Sequence, residues 1–285
     1  VFGRLATIPA YADFTKERSM DLELKGKVAI VTGGSRGIGK AIGKELAAEG
    51  AHVALVSRSL ATLEPAVKDI VAAAGGKVQA FACDTADDQS VKAMVEAVVK
   101  AFGRVDILVN CAAKPSGQSK PPTLAEITTE EFWDHMNTKV MGYLRTAREV
   151  APHMIKQKSG RIINVSGLGA RRTGTTIGSI RNVGVAALTK NIADELGPHG
   201  ISAVCVHPGL TRTEATAGVV SAQAKARGIS EAEAEQRLAS TNVLKTLITA
   251  EQIAHVCVFL ASPKSIAING ETVGAGGGMP DAIFY

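Results

Sequence analysis

The stretch Lys27–Gly39, KVAIVTGGSRGIG, decides how the rest of the chain is read. Lys27–Thr32 is a short apolar, β-branched run that fits a buried strand. Thr32-Gly33-Gly34-Ser35-Arg36-Gly37-Ile38-Gly39 then places glycines where that strand has to turn into a helix. Gly33 permits the tight turn, Gly37 lets the backbone come close to a ligand, and Gly39 lets helix and strand pack closely. The start of such a helix presents unpaired N–H groups and a positive dipole end to an anion such as a pyrophosphate, with Ser35, Arg36 and Ile38 completing the loop. The alternative is a glycine-rich structural turn. The strand before it and the helix after it favour the phosphate cradle.

Outward from this stretch, apolar runs alternate with helical patterns. Ile38–Glu49 is helical and stops at Gly50; His52–Val56 is a second strand run, Leu60–Ala74 a helix, Val78–Ala82 a third run, Ala86–Phe102 a helix and Val105–Asn110 a fourth run. Beyond a Pro/Ser/Gly loop at 114–122, Thr128–Lys158 reads as one long helix, Arg161–Ser166 as a fifth strand, Ile180–Leu196 as a helix and Ile201–Val206 as a sixth strand. Residues 214–240, Ala- and Glu-rich, interrupt the alternation before a helix at Ala250–Ala261 and a last strand near Glu271–Gly274. Near-continuous apolar strands in this order predict an α/β fold: a Rossmann-type doubly wound parallel sheet of about seven strands with helices on both faces. Regular patterning begins at Met20, so residues 20–285 are expected to form a single domain and residues 1–19 an N-terminal arm or a non-native extension.

Composition narrows the function classes. The chain has 285 residues, 46% hydrophobic and 21% charged, which suits a globular protein with a sizeable core. Its net charge of +5 is that of a mildly basic soluble enzyme, a pull towards anionic ligands being the alternative reading. Arg171-Arg172 is the sole adjacent pair of basic residues and no aromatic residues interleave with it, so no nucleic-acid partner is expected. Cys83, Cys111, Cys205 and Cys257 show no CxxC spacing and no Cys/His cluster has ligand spacing, so no metal is expected and the thiols read as reduced, in a cytoplasmic protein. No run of about 18 apolar residues marks a membrane span, and the first 19 residues lack the order of a secretory signal.

The end of the second strand run reads the cofactor. A dinucleotide fold that binds NAD places a carboxylate there for the ribose 2′-hydroxyl. Here the run is Val56-Ser57-Arg58-Ser59, with no carboxylate. Arg58, together with Arg36 in the glycine loop, can hold a 2′-phosphate by charge-assisted bonds, so NADP is expected ahead of NAD. The alternative is that Arg58 is a solvated turn residue.

As an ordered set, these features resemble the short-chain dehydrogenase/reductase superfamily over roughly residues 22–278. Thr-Gly-x-x-x-Gly-x-Gly at 32–39 is similar to its glycine motif, and Asp84-Thr85 look like its adenine-contacting pair. Asn110-Cys111-Ala112-Ala113 resembles its Asn-Asn-Ala-Gly segment with two departures. His207-Pro208-Gly209 with Thr211 and Thr213 resembles the Pro-Gly motif beside nicotinamide. The resemblance implies cofactor contacts at Asn110, Ala112, Pro208, Gly209, Thr211 and Thr213. It also implies a helical substrate lid at about 210–245, a surface helix pair being the alternative, and a homo-oligomer, dimer or tetramer, formed through the helices at about 128–158 and 178–197. The apolar end Ile283-Phe284-Tyr285 is expected to pack on a partner subunit.

Family members resembling this chain carry Asn, Ser and a Tyr-x-x-x-Lys pair, in which the lysine lowers the phenol pKa and the phenol moves a proton. Counting back from Ala187-Leu188-Thr189-Lys190, the Tyr and Lys positions fall on Gly178 and Asn182, and no tyrosine lies between Tyr143 and Tyr285. Counting back from Pro152, the family's asparagine position falls on Lys139. Lys139 and Asn182 therefore look like an exchange of roles, similar to a divergent group within the superfamily, with Lys139 as a surface helix residue the alternative. Ser166, within one residue of register, matches the substrate-orienting serine. Tyr143, one turn after Lys139, is either a displaced proton donor or a core residue. Arg171, Arg172, Thr175 and Ser179 either read a polar substrate or form a solvated loop.

Three function classes follow. The first is an NADP-dependent oxidoreductase moving hydride between nicotinamide and a small-molecule carbonyl, alcohol or activated alkene, with Lys139, Ser166 and Asn182 as catalytic residues. The second is a non-catalytic nicotinamide-binding sensor or assembly protein. The third is a non-redox lyase or isomerase on the same fold.

Overall fold

The computed structural model describes residues 20–114 and 121–283. Residues 1–19, expected as an arm or a non-native extension, part of the 114–122 loop, and Phe284 and Tyr285 lie outside the described residues.

Seven parallel strands form the sheet: β1 (Val28–Thr32), β2 (His52–Ser57), β3 (Val78–Ala82), β4 (Ile107–Asn110), β5 (Gly160–Val165), β6 (Ile201–Pro208) and, last in the chain, β9 (Thr272–Ala275). Their order is β3-β2-β1-β4-β5-β6-β9, every neighbouring pair parallel. Alternate side chains of each strand serve opposite layers. Ala29 and Val31 of β1 pack with Ile42 and Leu46 of α1 (Gly37–Ala48), Leu63 and Ile70 of α2 (Leu60–Ala74), and Ile253 and Cys257 of α9 (Ala250–Ala261). Val28 and Ile30 face the other way. They pack with Val91 and Val95 of α3 (Asp88–Phe102), Val150 and Met154 of α5 (Gly142–Gln157), and Ile192 of α6 (Thr176–Leu196). All five residues of β1 are buried, as a strand covered on both faces requires.

Two predicted helices differ in detail. Thr128–Lys158 is α4 (Thr129–Met136) and α5 joined by a single π-type turn, Asn137–Met141, which carries Lys139. Such turns leave no periodic signature in a sequence. α6 begins at Thr176 rather than Ile180, because the Thr175 side chain caps it by accepting the Gly178 N–H at 3.1 Å. After β6 come β7 (Thr211–Arg212), α7 (Thr216–Arg227), α8 (Glu231–Ala239) and β8 (Ile248–Thr249). β7 and β8 pair in parallel, closing both ends of the helical excursion, whose own small core holds Val220, Ala224, Ala234 and Leu238.

The strand order runs outward in both directions from β1 and β4, so their carboxyl ends open a crevice. The glycine loop sits there under tight contact. Gly33 has φ +69°, and a Cβ on it would lie 2.9 Å from the Ala112 nitrogen; one on Gly39 would lie 2.3 Å from the Gly33 carbonyl oxygen. Gly39→Ala therefore costs about 1–3 kcal/mol of stability through overpacking against backbone that cannot give way. Denaturant midpoints of the variant and the parent check this, and equal midpoints would contradict it.

Candidate active site

Arg36, the residue preceding α1, is extended and its side chain caps nothing. Thr32 Oγ1 accepts the N–H groups of Cys111 (3.1 Å) and Ala112 (3.3 Å), which ties the loop to the end of β4. Beside it, Ser35, Arg36, Ser57, Arg58, Ser59 and Thr62 line a cleft of about 330 Å³ with no carboxylate in its wall. Five of those six were expected from the sequence. Thr62 was missed; its hydroxyl lies 3.2 Å from that of Ser57 and donates to the Ser59 carbonyl at 2.9 Å. Also missed was Glu214, whose carboxylate accepts the Gly37 N–H at 3.0 Å. An acidic side chain thus sits on the positive end of α1.

The other expected cofactor residues fall in three places. Asp84 is exposed and caps its own turn through Ala86, whereas Thr85 is buried against the helix at Gly142. Pro208 ends β6, and Gly209 lies against Gly276, where a Cβ would come within 2.8 Å of that residue's Cα. Thr211 Oγ1 donates to the Gly209 carbonyl, and the Thr213 N–H donates to Thr216 Oγ1. The Asn110 side chain points into the core: it accepts from Thr146 Oγ1 (2.7 Å) and donates to Asn164 Oδ1 (2.9 Å), while Asn164 donates to Thr189 Oγ1. This fully bonded chain ties α5, β4, β5 and α6 together.

Three elements bring Lys139, Ser166 and Asn182 together. Lys139 is 3% exposed, and its Nζ donates to the Ser166 carbonyl and to Asn182 Oδ1, both at 2.9 Å. Ser166 Oγ donates to the Asn182 carbonyl at 2.9 Å and lies 3.3 Å from Asn182 Oδ1. Burial first, and then the Arg181 charge, lower the Lys139 pKa from 10.5 to about 7, with Cys111 and Cys205 opposing the shift. The surface-residue alternative for Lys139 is therefore discarded. A Cβ on Gly178 would meet Thr175 Oγ1 at 2.6 Å, so a side chain there would displace the cap of α6.

Tyr143 is a core residue. It is 1% exposed, donates to the Val165 carbonyl at 2.9 Å, packs with Val185 and Cys205, and has its pKa pushed well up by burial. It is not poised to release a proton. Arg181, missed by sequence reasoning, is buried with its Nη1 2.7 Å from His135 Nδ1 and 3.3 Å from the Lys114 carbonyl. His207 is buried too, and its Nδ1 accepts the Gly167 N–H at 3.2 Å. Among the described residues no cluster of His, Cys, Asp or Glu is set to hold a metal, and no helix is long and apolar enough to cross a membrane.

A parallel doubly wound sheet with a glycine cradle at its switch point defines a nucleotide-binding protein. The chain belongs to the short chain dehydrogenase family, whose family model matches residues 27–224. It is similar to the short-chain reductase protein NovJ of Streptomyces niveus, 36% identical over 273 residues, covering 94% of this chain and 98% of that protein. The 3-oxoacyl-(acyl-carrier-protein) reductase FabG of Vibrio cholerae is 33% identical over 270 residues, 90% of this chain and 99% of its own length. Among solved structures, L-sorbose reductase from Gluconobacter frateurii, complexed with NADPH and L-sorbose, matches with a TM-score of 0.87 and 31% identity over 93% of this chain and 100% of that one.

The lowered Lys139 pKa has a consequence for stability. Between the folded value of about 7 and the ordinary 10.5, the unfolded chain binds the proton that the folded chain has lost. The contribution of Lys139 to stability therefore rises with pH across that window, with a slope of up to about 1.4 kcal/mol per unit. Lys139→Met should flatten this slope. Denaturant midpoints from pH 7 to 10 measure it, and identical pH dependence in both proteins would contradict a depressed lysine.

Proposed function

We propose that this chain is an NADP(H)-dependent oxidoreductase that moves hydride between nicotinamide and a carbonyl or its alcohol, with Lys139, Asn182 and Ser166 doing the work of the family's usual Tyr-x-x-x-Lys pair. The observation that carries it is the buried Lys139–Asn182–Ser166 cluster in a chain that also carries a glycine loop with two arginines. The L-sorbose reductase that matches this fold holds NADPH, in keeping with the cofactor read from Arg36 and Arg58.

The residues present fit the cofactor. The glycines at 33 and 37 before α1, where the Arg36 side chain makes no cap, and a cleft lined by serines and arginines without a carboxylate suit a 2′-phosphate and a pyrophosphate that displaces Glu214 from the Gly37 N–H. Gly33, Ser35, Gly37, Ile38 and Gly39 would hold the pyrophosphate, and Arg36, Ser57, Arg58 and Ser59 the 2′-phosphate. The bound nicotinamide supplies or accepts the hydride. Lys139 handles the proton: an ammonium has three N–H donors, two are committed to the Ser166 carbonyl and Asn182, and the third serves the substrate oxygen. With a pKa near neutrality Lys139 gives that proton up or takes it back readily. The Ser166 hydroxyl, beside Asn182 Oδ1, orients the substrate.

The segment 210–245 serves as a lid over that substrate, hinged where β7 pairs with β8. Met141, Ile180 and Val183, each more than a third exposed on the π-type turn and α6, support a homo-oligomer through these helices. Four free cysteines suit a cytoplasmic setting.

Turnover with a panel of ketones, alcohols and enoyl thioesters tests the reading. Wild type should turn over with NADPH, and Lys139→Met should lose most of that rate at unchanged NADPH affinity. Nucleotide binding with no turnover on any substrate would favour a sensor instead. Product formed without a change in nicotinamide absorbance would favour a lyase or isomerase.

Two binding changes are expected. Arg58→Ala, losing a charge-assisted bond of about 1.5–3 kcal/mol, should weaken NADPH roughly 10- to 100-fold and leave NADH unaffected. Glu214→Gln, which removes the charge competing for Gly37, should tighten both nucleotides about two- to fivefold. Fluorescence titration reads both, and equal losses for NADPH and NADH in the arginine variant would contradict the 2′-phosphate assignment.

A further inference from the structure

His207 lies outside the cluster that would meet substrate, yet it touches the peptide unit on which that cluster rests. Gly167 donates its N–H to His207 Nδ1 at 3.2 Å. The carbonyl of the same peptide unit belongs to Ser166, and it accepts the Lys139 ammonium at 2.9 Å. In a trans peptide the N–H and C=O point in opposite directions in one plane, so fixing the N–H fixes where the carbonyl points. This restraint has work to do, because the residue after the carbonyl is a glycine, whose φ is unconstrained by a side chain. The fit here is tight, since a Cβ on Gly167 would lie 3.1 Å from Asn182 Nδ2.

We propose that His207 is a positioning residue, holding the Ser166–Gly167 peptide so that its carbonyl faces Lys139 and strengthening that carbonyl as an acceptor. The inference rests on Lys139 as the proton-handling group. Accepting the N–H polarises the amide and places more negative charge on its oxygen, so the two bonds reinforce each other. The backbone N–H is an obligatory donor, so Nδ1 has to carry the lone pair and Nε2 the proton. A protonated ring would set N–H against N–H.

The surroundings keep the ring neutral. His207 is 2% exposed, and burial, with the Arg171 and Lys139 charges, holds its pKa down at about 4. Cys205 Sγ lies 3.8 Å from the same nitrogen, and Gly274 of β9 pairs alongside. Lys139 in turn is faced by Arg181 from α6, Cys111 beyond β4 and Cys205 from β6. Above about pH 5 the relay from His207 through the peptide to Lys139 is intact.

The test is the titration of Lys139 itself, followed by NMR of protein labelled at lysine Cε, with Lys139→Met assigning the signal. His207→Leu removes the acceptor and frees the peptide, so the ammonium loses a partner and its midpoint should fall by about one pH unit relative to wild type. His207→Asn offers Oδ1 close to where Nδ1 stood and should restore the wild-type midpoint. A side chain that only fills space would leave the midpoint unmoved in both variants, and that result would overturn the proposal. If the leucine variant does not fold, His207→Phe keeps the ring volume without the acceptor and carries the same expectation. The catalytic reading is judged separately, by the wild-type midpoint alone. A value near that of an ordinary lysine would sink Lys139 as the proton handler, while a difference between wild type and His207→Leu would still uphold the positioning role.

Discussion

Burying the Lys139 ammonium carries a desolvation cost of several kcal/mol, and the local structure around the crevice is arranged to offset it. The π-type turn at Asn137–Met141 interrupts an otherwise regular helix at the residue that holds the charge. Asn182 supplies a neutral oxygen, and Gly167 stays small so that this amide can approach. Ser166 lends its backbone carbonyl rather than a charge. The lysine is held by neutral hydrogen-bond acceptors, and burial, helped by the Arg181 charge, brings its pKa down to about 7. A salt-bridged lysine would be locked in the charged form, whereas this one sits where proton exchange at neutral pH costs little.

The glycine loop imposes the second constraint. Gly33 and Gly39 allow α1 to press onto β1 and the end of β4. Glu214 ties the start of α1 to the chain just beyond β7. One carboxylate therefore links the start of that helix to the excursion that β7 and β8 close.

Much of this was legible in the sequence where a local rule operates. Apolar runs between helical patterns gave the sheet and its layers, because a strand covered on both faces has to be apolar throughout. Arg36, Ser57, Arg58 and Ser59, grouped by their places relative to one turn and one strand end, do line one cleft. What escaped depends on partners far apart in the chain. Asn110 meets Asn164 only through the register of β4 on β5, and so its side chain joins the core rather than the crevice. The π-type turn has no periodic signal, and Thr175 extends α6 by capping ahead of the apolar pattern. His207 stood within a recognised motif, but its partner is the backbone of Gly167, 40 residues earlier, and no pattern of residue types announces a bond to a peptide N–H.

The most direct measurement is the pH dependence of kcat for carbonyl reduction at saturating NADPH. With Lys139 as the proton donor, the rate should be highest when the ammonium is charged and fall about tenfold per unit as pH rises beyond about 7. A rate that stays level from pH 6 to 9, with chemistry shown to limit turnover, would contradict Lys139 as the group that carries the proton.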